Sequence, residues 1–167
     1  MTKPLVTLLL SATALASVAA QSQDRHAQMT ARGEHAMGFD QDKTTHHFYL
    51  YDDGGAIEIT VKNEKDRVSL DAIRSHLPHI ATLFASGDFS VPGFIHDQAV
   101  PGSAVMTQNK DRIAYVYQDI ANGGRVRITT RAARALMGVH EFLRFQITDH
   151  KTGDSLEVTR SALSAEP

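Results

Sequence analysis

The sequence predicts an α+β fold: two ββα units forming one mostly antiparallel four-stranded sheet, with two helices on one face. Three observations lead there. Residues 44–61, TTHHFYLYDDGGAIEITV, alternate in polarity on both sides of a turn at Asp52-Asp53-Gly54-Gly55, which is a β-hairpin signature. Residues 112–130 repeat the arrangement around Asn122-Gly123-Gly124. Each hairpin is followed by a stretch with apolar residues three or four positions apart, the period of a helix buried along one face.

In the first hairpin, strands at 45–51 and 56–61, a period of two groups His46, Phe48 and Leu50 with Ile57, Ile59 and Val61. That set is the core face, so His46 points inward. His47, Tyr49, Tyr51, Glu58 and Thr60 take the outer face. After a polar link at 62–67, Ser69 suits a helix N-cap. Leu70, Ile73, Leu77, Ile80 and Phe84 form the helical stripe, and Gly87 ends it. Pro78 inside the stripe removes an amide and predicts a kink. Residues 88–111 are interrupted by Pro92, Gly93, Pro101 and Gly102, and read as a long connection with short extended pieces. The second hairpin has strands at 112–118 and 125–130. The second helix spans 132–149, with Leu136, Val139, Leu143 and Ile147 as its stripe.

The units are 44–88 and 112–155 of one domain, 44–155, joined by 89–111. Each reads strand, Gly-Gly turn, strand, helix, Gly-Asp. His76 follows the second turn glycine by 21 residues in the first unit, and His140 by 16 in the second. A pseudo-twofold axis is expected to put these two histidines in equivalent places near the seam between the helices.

Residues 1–20, MTKPLVTLLLSATALASVAA, carry one early cation, an apolar run and small residues at the end. They read as a secretory signal peptide cut before Gln21, which implies a periplasmic or secreted protein. No later run is long and apolar enough to anchor the mature chain in a membrane. Residues 21–43 read as a flexible N-terminal arm, and 156–167 as a loosely held C-terminal tail. Of 17 basic residues one lies in the signal, leaving 16 against 19 acidic residues. That balance argues against a nucleic-acid partner. The chain has no cysteine, which excludes disulfides, thiolate chemistry and a Cys-x-x-Cys-His haem attachment.

Nine histidines all fall after residue 20. His76 and His79 are three residues apart on the first helix, hence on one side of it. With His46 and His140 they form the candidate metal set; His150 and His96 are possible additions. His26 and His35 lie in the arm with Met29 and Met37. Histidine-only sites suit zinc, copper or nickel, and a nearby thioether favours copper. A single histidine can also hold haem iron. No Gly-x-Ser-x-Gly elbow, P-loop or dinucleotide fingerprint is present.

The segments MGFDQDKTTHHF, GGAIEI, IRSHLPHIATLFASGDF and HEFLRFQITDHKTGD resemble an uncharacterised family of small secreted bacterial proteins. Some of those relatives carry an aspartate carbamoyltransferase label. Transcarbamoylases resemble longer, two-domain α/β enzymes with a Ser-Thr-Arg-Thr phosphate-binding motif, and this sequence lacks that motif. The functional expectation is a small binding protein for copper, zinc or haem through histidines. The alternative is an interaction or homodimerisation module using the outer sheet face, where His47, Tyr49, Tyr51, Glu58, Arg125 and Arg127 converge. A small enzyme with a histidine general base is the third reading.

Overall fold

The computed structural model describes residues 10–161, and side chains from Gln23 onward apart from that of His26. The start of the expected signal peptide, the His26 side chain and the tail from residue 162 lie outside the described residues. Four strands, β1 (Thr44–Tyr51), β2 (Gly54–Val61), β3 (Ile113–Ile120) and β4 (Gly123–Thr130), form one sheet. It is antiparallel throughout, in the order β1-β2-β4-β3. Its helices are α1 (Leu10–Met37), α2 (Arg67–Ser86), α3 (Ser90–His96), α4 (Ser103–Gln108) and α5 (Ala133–His150). No helix among the described residues is long and apolar enough to cross a membrane.

The predicted ββα pair is present, with two-residue loops at Asp52-Asp53 and Ala121-Asn122. The Gly-Gly pairs are not in the turns; they open the two central strands. Gly55 pairs with Ile128, and Gly124 pairs with Ile59. Helices press closest at these points. A Cβ on Gly55 would run into Leu143 Cδ1 and the Tyr49 carbonyl, and one on Gly124 into Leu77 Cδ1 and the Tyr117 ring. Leu77 and Leu143 are therefore structural mates.

The glycine contacts also expose a crossing. Leu77, on the helix of the first unit, sits on the hairpin of the second, and Leu143 sits on that of the first. Accordingly α2 packs chiefly over β3 and β4, and α5 over β1 and β2. The core lies between: Phe48, Leu50, Ile57, Ile59, Val126 and Ile128 from the sheet meet Ile73, Leu77, Val139, Phe142 and Leu143 from the helices, all buried.

Four segments depart from expectation. The helix α2 starts at Arg67, two residues before Ser69, because Asp66 is the cap and accepts from Ser69 N at 3.0 Å and Ser69 Oγ at 2.8 Å. It runs through Pro78 to Gly87, whose φ of 85° gives the left-handed terminus. The connection 89–111 contains the short helices α3 and α4, not extended pieces. Pro92 falls in the first turn of α3, where no amide is required, and Gly102 caps α4 at positive φ. Residues read as breakers are helix starts.

The arm expected at 21–43 is mostly helix. Met29, Gly33 and Met37 recur every four residues on its buried side, and Arg32 Nε donates to the Ile95 carbonyl at 2.9 Å. At the other end, residues 154–161 are strapped along β1. Thr159 N donates to Leu50 O at 3.0 Å, Asp52 N donates to Thr159 O at 2.9 Å, and Ser161 is buried.

Candidate functional site

Six polar or sulfur-bearing side chains from five elements border one cavity between the sheet and the helices. His46 comes from β1, Met37 and His76 from α1 and α2, His96 from the end of α3, and Gln146 and His150 from α5. The rest of the lining is apolar, with Ile57, Ile59, Leu77, Phe84 and Phe142 among it. The cavity volume is about 60 Å³, room for about two water molecules at liquid density. It suits a ligand far smaller than a porphyrin.

The imidazoles are arranged as a chain of rings. His46 lies parallel to His150, with centroids 5.7 Å apart and planes 8° apart. His150 meets His96 edge-on at 4.9 Å. On the other side Phe39 stands between His46 and His76, at 6.2 and 5.9 Å. The rings share a cavity without aiming at a common centre. Among the described residues, no group of three or more His, Cys, Asp or Glu side chains comes together as a metal shell.

Burial lowers the His46 pKa to about 4, assisted by the nearby rings of His76 and His47. Burial likewise lowers His76 to about 4, with His79 adding to it. Both are neutral at pH 7, the state in which a histidine nitrogen can ligate or accept. His96 is held at both ends. Its Nδ1 donates to Asp149 at 2.6 Å, and its Nε2 lies 3.0 Å from Gln146 Oε1. Arg25 holds the other Asp149 oxygen at 3.1 Å. Two buried nitrogens at the cavity, His46 Nε2 and Gln146 Nε2, have no hydrogen-bond partner among the described residues.

Of the candidate metal residues, His46 and His76 border the cavity together. His79, exposed on α2, shares a separate open depression of about 330 Å³ with His76 and Met37. His140 is apart from all three: its Nε2–H donates to the carbonyls of Tyr51 at 2.8 Å and Gly54 at 3.1 Å, closing the β1–β2 turn. The expected equivalence of His76 and His140 fails, because His140 is the mate of Arg74 and not of His76. His96 and His150 enter the cavity instead. His35 contacts the Phe94 ring at 6.2 Å, away from it.

The outer sheet face carries the expected residues in a partly bonded state. His47, Tyr49 and Tyr51 stack in sequence at 6.1 and 6.2 Å. His47 Nδ1 donates to Asp154 at 2.8 Å, and Asp154 also accepts from Phe48 N at 2.9 Å. Glu58 pairs with Arg125, and the buried Arg127 bonds Asp53 and Ser161 Oγ beneath the Tyr51 ring. Towards β3 the face is open, with Val116 half exposed. The whole is a small globular domain with an open sheet face, a form that suits a binding module.

No family model, curated protein or solved structure matches this chain.

Proposed function

We propose that the protein is a small extracytoplasmic binding module whose ligand is a soft transition metal ion, copper before zinc, held at Met37, His76 and His79. One observation carries the reading: a thioether and two imidazoles from one helix turn border the same open depression. Thioether with imidazole is a donor set for Cu(I). The His76 ring is neutral well below pH 7, so coordination there displaces no proton under ordinary conditions. The secretory signal read in residues 1–20 supports an address outside the cytoplasm.

The test is a titration of tag-free protein, under reducing conditions, with Cu(I) buffered by a chromophoric chelator. One equivalent should bind. Met37→Leu, which keeps the volume, should weaken binding by more than about tenfold with little change in melting temperature. Failure to compete with the chelator at any ratio sinks the reading.

A second reading rests on the outer face, where the Tyr49–Tyr51 ladder adjoins the half-exposed Val116. Aromatic and arginine side chains anchor interfaces. It predicts a mass that rises with concentration in sedimentation equilibrium, and a constant monomer mass argues against self-association.

A further inference from the structure

We infer that the cavity between the sheet and the helices is a second binding site, for a small, uncharged and mainly apolar molecule carrying one hydrogen-bond acceptor. The observations are independent of the metal reading. Among the described residues no Asp, Glu, Lys or Arg borders the cavity, so a charged ligand would lie there without a counter-charge. The volume of about 60 Å³ limits the ligand to about two to three non-hydrogen atoms, since benzene fills an apolar cavity of about 150 Å³.

The acceptor requirement comes from Gln146. This side chain is 4 % exposed, and its amide nitrogen has no partner. Its orientation is set from outside the cavity. Arg25 holds Asp149, Asp149 accepts from His96, and His96 faces the Gln146 carbonyl oxygen at 3.0 Å. The Gln146 oxygen is thereby occupied, and the amide N–H groups are left as donors. An unmet buried donor is costly, and a ligand carbonyl, nitrile or ether oxygen removes that cost. His46 Nε2, also unpartnered, adds a second polar contact.

The way in is lined by the same residues. His46 and His150 border both the cavity and a polar surface depression of about 280 Å³ that includes Thr45, Lys62 and Thr152. Their stacked rings are shared by the two.

Acetonitrile, with a nitrile acceptor on one methyl group, is the probe. In ¹H–¹⁵N NMR of the full chain it should give saturable shifts at residues of β1, β2 and α5 bordering the cavity, and move the Gln146 side-chain amide signals. Gln146→Met should weaken this binding by about tenfold, the effect of one lost hydrogen bond. Linear, unsaturable shifts spread over the surface would overturn the inference. So would an unmoved Gln146 amide signal in the unmutated protein, a readout that stands even if the variant misfolds.

Discussion

His140 stands to the β1–β2 turn as Arg74 stands to the β3–β4 turn. His140 donates to the carbonyls of Tyr51 and Gly54, and Arg74 to those of Ile120 and Gly123. The strand partners are offset by 69 residues and the two donors by 66. The repeat therefore extends to the polar contacts that pin each hairpin under a helix, with a loop three residues longer in the first unit.

Replacing His140 by Phe leaves the Tyr51 and Gly54 carbonyls without this donor. The expected loss in urea unfolding is about 1–3 kcal/mol. His140→Arg, copying its mate, should lose less. Cu(I) affinity should be the same in both variants, since His140 lies apart from Met37, His76 and His79.

The two helix-contact glycines are not equally tolerant. A Cβ at Gly55 meets the Tyr49 backbone carbonyl as well as Leu143, whereas one at Gly124 meets only side-chain atoms of Leu77 and Tyr117. Gly124→Ala should cost about 1–3 kcal/mol, in the range of overpacked cores. Gly55→Ala should cost more and, measured side by side by chemical denaturation, lie clearly below it in stability.

Acid should destabilise the domain through His46. Burial holds its folded pKa at about 4, against an ordinary value of 6.5. Between these values the unfolded chain binds a proton and the folded one does not. Stability is then lost as pH falls from about 6.5 towards 4, by up to about 3 kcal/mol. Unfolding free energies at pH 7.5, 6 and 5 should show the decline, and His46→Phe should reduce it, leaving the part due to His76.

The strap at 154–161 makes its own forecast. Burial acts to raise the Asp154 pKa, but bonds from Thr152, His47 and Phe48 outweigh it and hold the carboxyl below its ordinary value. Asp154→Ala should cost about 1–3 kcal/mol at pH 7. Limited proteolysis of that variant should cut at residues 155–160 faster than in the parent protein.

Much of the fold was legible because its signals are local. Both hairpins follow from alternation and turn chemistry, and the second helix, read at 132–149, is observed at Ala133–His150. The Gly-Gly pairs misled because turns and close helix contacts favour the same residue, and only the packed helix reveals which applies. The helix α1 was hidden by Gly33, which interrupts the spacing of Met29 and Met37 while leaving room for the side chains of Gln41 and Met37. The cavity was only half legible. His46 was correctly turned inward by period two, but His96 belongs to a helix whose proline and glycine read as breaks. His140, which looked like a ligand, answers to a backbone turn that is distant in sequence.

The crossing of the helices has a temporal side. The first hairpin is covered by a helix made some 70 residues later on the chain, so as synthesis proceeds its apolar face waits for the last element. The second hairpin finds α2 already present. A half-length chain would carry a hairpin and a helix that do not cover each other, and could complete its core only by trading helices with another such chain. The present molecule is that exchange carried out within one polypeptide, with residues 89–111 as the tether that lets both trades happen together.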